Sequence, residues 1–364
     1  MKDFILQNDK EFLRKRLGSM SQLAGIKRYR LSEGRADGVD AVDVRTGTGF
    51  SYTVLPGRGM DIAWTEYKGV PISYMSSTGV SSAAHYEAAG MEWLRNFFAG
   101  LLTTCGFDNV GGPCEEEHPV IGKRELGLHG RLTNLPASEV CTTEEWEGDR
   151  YVMRVSGKMR QSCLHGENMT LRRTVSSVLG ESKLVLHDRI ENESNRTLPI
   201  SMLYHMNLGY PVLSEHTRLY MPSASVVGAS DLANAEMAQH SEFHAPEQGC
   251  VERCYFHAVK ADEDGKAYVA VVNEELQLAV VFTYLPSQLP AFTEWKMLNE
   301  GEYVLGIEPG TNNPVGRKNM AEQGTLQFLQ PGESREVDIS VEILDRAEDI
   351  ENIKNKIKAM REKA

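Results

Sequence analysis

Paired cysteines are missing from this chain of 364 residues: its six cysteines (Cys105, Cys114, Cys141, Cys163, Cys250, Cys254) are sparse for the length and form no CxxC pair. That usage is expected of free thiols in a reducing compartment. Long apolar runs are also lacking. A membrane span needs about 20 apolar residues, and the longest candidate, LAVVFTYL at 278–285, falls far short. The opening MKDFILQNDKEF has no apolar stretch of the ~7 to 15 residues typical of a secretory leader, so a cytoplasmic protein without a membrane partner is expected. Positive charge is scarce: 39 Lys+Arg face 51 Asp+Glu, a net charge of -12, which repels a phosphate backbone. The dense basic clusters, Arg14 to Arg16 and Lys27 to Arg30, both lie near the N-terminus, and nucleic acid is not expected as a partner.

Several motifs are absent too. No GxGxxG opens a helix, and there is no GxxxxGK[ST], HExxH, GxSxG or EF-hand loop, which removes support for dinucleotide, P-loop and zincin chemistry. No cofactor and no metal are expected. Cys250, Cys254 and His257 put three soft ligands within eight residues but lack a fourth group, and the run Glu115, Glu116, Glu117, His118 reads as a solvated turn.

What is present is short stretches of alternating residues from about residue 38 onward, including VDAVDVRT, FSYTVLP, YVMRVSGKMR, MTLRRTVSSVL, SKLVLHDRIEN, KAYVAVVN, LAVVFTYL and REVDISVEIL. Turn signals such as EGD, LGES, EDG and PGES separate them, a pattern that predicts a large antiparallel β protein. One β domain over 35–345 is expected, preceded by a helical or extended appendage at 1–34 with an amphipathic helix at 9–20. The stretch 85–102 (HYEAAGMEWLRNFFAGLL) reads as a short helix and the segment 228–249 as a polar loop. At 346–364, Ile350, Ile353, Ile357 and Met360 recur at spacings of three and four, which predicts a C-terminal helix packed on its own domain.

Side chains two apart on a strand project to the same face. LGLHGRL offers His129 and Arg131 in this way, SMLYHMNLGYP offers His205 and Asn207, TEWKML offers Glu294 and Lys296, and YVLGIEPGTNNP ends an apolar strand in Glu308. Two histidines and a glutamate suffice for paired acid–base work near neutral pH. Trp93, Trp295 and Phe292 are candidates for stacking on a ligand, beside the alternative of ordinary core aromatics.

At these residues the chain resembles the aldose 1-epimerase (galactose mutarotase) superfamily, with LHG at 128–130, YHMNLGYP at 204–211, GIEPGT at 306–311 and LQPGES at 329–334 in the same order. GRGMDI at 57–62, LLTTCGFDNVGGP at 101–113 and LGLHGR resemble a less characterised bacterial branch of it. The resemblance implies an all-β fold, a large twisted antiparallel β-sandwich, with short N- and C-terminal helices. It also implies His205 as catalytic acid, Glu308 as base and His129 as a histidine that helps hold developing charge. Arg58, Asp61, Asn109, Arg131, Asn207, Lys296 and Arg317 are candidate ligands for sugar hydroxyls or an anionic group. The superfamily's Arg-containing stretch before the LHG histidine is replaced here by TTCGFDNVGGP, its substrate-binding Asp has no clear counterpart, and its Asn-His-Thr-Tyr-Phe-Asn-Leu segment appears as YHMNLGY.

The implied activity is a cofactor-independent interconversion of the α and β anomers of a small-molecule carbohydrate, in a chain for which a homodimer stays open. Two alternatives stand beside it: a non-catalytic carbohydrate-binding protein, and a lyase or isomerase acting on a modified sugar with the same groups, in one version with a metal held by His129, His205 and Glu308.

Overall fold

A computed structural model describes residues 10–118, 120 and 122–362. Two large antiparallel sheets carry the fold. Strands of the first run in the order Gly25–Arg30, Asp40–Arg45, Phe50–Leu55, Asp61–Tyr67, Leu102–Phe107, Leu198–Gly209, Glu302–Gly310, Ala291–Asn299, Arg253–Val259 and Ser223–Gly228. The second runs Thr217–Tyr220, Ala267–Asn273, Leu278–Tyr284, Ser334–Leu344, Lys183–Asn192, Asn168–Val178, Arg150–Ser162 and Ser138–Glu147. The expected β-sandwich is the fold observed, and Gly25–Arg30, inside the stretch expected as an appendage, is already an edge strand.

Alternation explains how the layers meet. In Lys183–Asn192, Leu184, Leu186 and Ile190 are buried while Val185, His187 and Arg189 are exposed, so every second residue faces the partner sheet. Inward residues of both sheets, among them Tyr52, Ile62, Met202 and Met206 from the first and Val155, Leu171, Val280 and Ile339 from the second, form one core. The expected turns close several hairpins; at Gly148 the chain takes φ 61 between Ser138–Glu147 and Arg150–Ser162, a conformation that costs glycine little.

One ionic network crosses this core. Arg173, from the second sheet, makes a fork of 2.8 and 2.7 Å to Asp188 and reaches Asp61 of the first sheet at 3.1 Å. Thr104 donates to Asp61 from both its backbone and its hydroxyl, and the Tyr204 hydroxyl donates to Asp188 at 2.9 Å.

The C-terminal helix, Ala347–Glu362, packs as expected: Ile350 and Ile357 sit against Ala270, Val272, Ala279 and Val281. Other expectations need correction. The N-terminal helix is confined to Lys10–Arg14, residue 9 lying outside the described residues. No α-helix forms over 85–102. That stretch holds the 3-10 turn Glu92–Asn96, because Gly90 at φ 52 and Ala99 at φ 64 break helical geometry on either side. The segment 228–249 contains a short helix, Asp231–Ala235, capped by the Ser230 side chain. Cys114–His118 is a strand paired with Gly122–Leu126 rather than a solvated turn, and the cross-strand pair Glu116–Arg124, at 2.6 Å, offsets its like charges. No described helix is long and apolar enough to cross a membrane.

Candidate active site

Three adjacent strands and one turn bring the acid–base residues together. Leu198–Gly209 pairs with Glu302–Gly310 and with Leu102–Phe107, and strand parity turns His205 and Asn207 to one face while Tyr204 and Met206 enter the core. Glu308, opposite Thr293 in register, comes to the same face: its Oε1 lies 3.2 Å from His205 Nε2. The pair is close enough to exchange a proton but is not aligned as a hydrogen bond, and Glu308 Oε1 is buried without a hydrogen-bond partner.

His129 arrives from a turn rather than a strand, at φ 55. The loop is held by Gly106 N–H donating to the His129 carbonyl at 3.0 Å and by His129 N–H donating to the Gly111 carbonyl at 3.1 Å. Gly111 N–H donates to His129 Nδ1 at 3.3 Å, which places the proton of the neutral imidazole on Nε2. The two imidazole rings stand 6.0 Å apart, edge to face.

Aromatic rings wall this cluster. Trp93 lies 4.8 Å from His129, and Phe97 and Trp295 each lie 5.2 Å from His205, measured between ring centroids. Trp295 Nε1 donates to Glu252 at 2.9 Å. The Phe97 and Trp295 rings are themselves half-buried. Two further polar atoms here are buried and unpaired, Asn207 Oδ1 and Trp93 Nε1, an unusual concentration for a native protein.

Burial sets the protonation states. It raises the Glu308 carboxyl well above the ordinary range, with Glu252 adding to the effect. It pulls His205 down to about 3, helped by His129, and His129 down to about 4. Burial thus favours the protonated carboxyl of Glu308 and the neutral imidazole of His205, a raised acid beside a depressed base.

The other candidate ligands divide sharply. Asn207 is in the cluster. Arg131, largely exposed, lies 3.5 Å from the buried Asp108, two residues beyond His129. Arg58 is a correction: fully buried, it donates to the carbonyls of Thr133, Ser81 and Asn96 and clamps three loops. Asp61 belongs to the Arg173 network in the core. Asn109 Nδ2 donates to the carbonyls of Gly111, Gly112 and Gly127, and Arg317 pairs with Glu116 at 2.9 Å. Lys296 Nζ donates to the carbonyls of Gln239, His240 and Glu242. Glu294 and Lys296 do share a face, but the inner one; Trp295 between them is the residue that reaches the site. Phe292 also faces inward and stacks on Tyr284. The donor atoms of His129, His205 and Glu308 do not gather closely enough to form a three-ligand metal group. Cys254 and His257 point to opposite faces of one strand, which separates that set as well.

Phe97 and Gly306 went unnoticed in the sequence. Gly306 is two residues before Glu308 on the same face, and a Cβ there would collide with Glu308 Oε1 and stand 3.0 Å from Trp295 Cβ. Gly306→Ala should therefore misplace the carboxyl and cost about 1–3 kcal/mol of stability, which urea unfolding would check.

Residues 36–343 match the family described as "Domain of unknown function (DUF4432)". The chain belongs to the DUF4432 family. This DUF4432 chain superposes with a TM-score of 0.85 on a Klebsiella pneumoniae structure described as a "putative aldose 1-epimerase", at 25% identity and over 92% of this chain and 87% of that one. A galactose mutarotase-like protein from Clostridium acetobutylicum aligns with a TM-score of 0.60 at 13% identity, over 89% of this chain and 100% of the other. Galactose 1-epimerase from Lactobacillus acidophilus aligns at 0.58 and 12%, over 88% and 99%. These last two show a shared fold. Comparison with curated proteins found no match.

Proposed function

We propose that this DUF4432 protein is an aldose 1-epimerase that interconverts the anomers of a sugar or sugar derivative without a cofactor. The observation that carries the reading is the Glu308–His205 pair, buried at 3.2 Å with unsatisfied polar atoms inside an aromatic wall. Sugar hydroxyls would satisfy Asn207 Oδ1 and Trp93 Nε1, while Trp93, Phe97 and Trp295 offer rings to the apolar sugar face.

Ring opening needs one proton removed from the anomeric hydroxyl and one delivered to the ring oxygen. One proton held between Glu308 and His205 would meet that requirement. Burial alone leaves it on Glu308; a hydroxyl donating to the carboxylate favours transfer to His205, after which Glu308 takes the O1 proton and His205 protonates the ring oxygen. Rotation about the bond to C1 and closure on the other face complete the exchange, and the same groups restore the starting state. His129 would donate from Nε2 to an oxygen that gains charge.

The test is anomer exchange by NMR over a panel of neutral, acidic and phosphorylated aldoses. Acceleration for one class identifies the substrate; sugar binding without acceleration for any would replace this reading with a non-catalytic binder. The pH profile provides a second check. kcat/KM reports the free enzyme's groups, so its acid limb should lie near the His205 value of about 3. On the alkaline side it should fall as the shared proton is lost, above the ordinary carboxylate range. A limb at an unperturbed histidine value near ~6.5 would contradict this.

A further inference from the structure

On the other face of the strand that carries Trp295 lies a polar cluster that anomer exchange does not use. Glu294 is fully buried. Its Oε2 lies 2.8 Å from His240 Nδ1 and 3.2 Å from His257 Nε2, and the three donor atoms fall within 4.8 Å of one another. Ligands bound 2.0–2.2 Å from a tetrahedral ion stand about 3.4 Å apart, so small side-chain rotations bring these three to coordination distance. We propose that His240, His257 and Glu294 bind one divalent transition-metal ion, zinc or a neighbour in the same series, with a coordination position open to solvent.

Two imidazoles and a carboxylate suit such an ion, and the surroundings support the site. Glu294 Oε1 is buried with no hydrogen-bond partner, and a cation would compensate a carboxylate that is costly to bury alone. Lys296, two residues on, directs its ammonium to the carbonyls of Gln239, His240 and Glu242, which fixes the turn that presents His240. The Ser223 hydroxyl lies 2.9 Å from His257 Nδ1; accepting from Nδ1–H, it leaves Nε2 free for a metal, as supporting hydrogen bonds to metal-bound histidines do. His257 and Glu294 have no exposed side-chain surface, whereas His240 is 20% exposed and lines a groove beside the C-terminal helix. An ion can therefore enter past His240, and its fourth position faces that groove. Once bound, it would tie the turn at 237–240 to the paired strands Arg253–Val259 and Ala291–Asn299, directly behind Trp295.

The full-length protein, stripped with chelator and dialysed, would be titrated with Zn2+ and with Co2+. The expected result is one ion per chain, a rise in melting temperature on saturation, and Co2+ visible absorption without a thiolate band. Ser223→Ala should weaken Zn2+ binding about 10–100-fold and His240→Ala by more, with the metal-free variants melting like metal-free wild type. His129→Asn should leave binding unchanged, so this result is independent of the epimerase reading. Absence of saturable binding to wild type, binding that survives both His240→Ala and Glu294→Gln, or a thiolate band in the Co2+ spectrum would overturn the proposal.

Discussion

Glu308→Gln should reduce the anomer-exchange rate by about 10²–10⁴-fold, the usual contribution of a positioned acid–base group, while sugar affinity changes little. Glutamine keeps the shape and hydrogen-bonding reach of the side chain but cannot carry the proton that Glu308 shares with His205 at 3.2 Å. Because the two act as a unit, His205→Asn should cost about as much, and the double variant little more than either single one. Stability should move in the opposite direction from activity. A carboxyl whose folded pKa is raised above its unfolded value of about 4.3 loses stability as pH rises from that value through the raised one, and burial raises Glu308 well above it. Above neutral pH the Gln variant should then unfold at the same temperature as wild type or higher. Exchange spectroscopy and thermal melts on the same samples check both halves; a variant that retains the wild-type rate would remove Glu308 from the chemistry.

That pair was legible because alternation works where one strand face is plainly apolar. His205 and Asn207 flank Met206, and the parity that groups them in the sequence groups them in the fold. The same rule misplaced Glu294 and Lys296: it shows that two residues share a face, not which face, and Ala291–Asn299 buries residues on both. Arg58 and Asp61 misled for another reason. A polar side chain at zero exposure is held by partners distant in sequence, such as Thr133 and Arg173, and no local pattern announces them. The His240–Glu294–His257 cluster was hidden in the same way, assembled from one turn and two strands. Phe97 was read as part of a helix, and Gly90 and Ala99 instead fold its segment into a tight turn over His205.

Removing the guanidinium from the core should be the most damaging single change to stability. Arg173→Met would leave Asp61 and Asp188, both at zero exposure, without the cation that now bridges them at 3.1 and 2.7 Å. Breaking a buried pair by deleting one partner costs about 3–5 kcal/mol, and here two carboxylates are abandoned together. Arg173→Lys should recover only part of the loss, since an ammonium cannot reproduce the two-pronged contact with Asp188. Combining Arg173→Met with Asp61→Asn and Asp188→Asn should recover more than Arg173→Lys does, because the stranded charges leave with their partner. Urea unfolding of the set separates the contributions, and a loss below about 1 kcal/mol for Arg173→Met would show that the guanidinium does not hold this network together. The network also bears on the site. Tyr204 donates to Asp188 and Thr104 to Asp61, the two residues pair in register, and the next residue after Tyr204 is His205. The buried charges therefore fix, from beneath, the strand that aims the imidazole at Glu308.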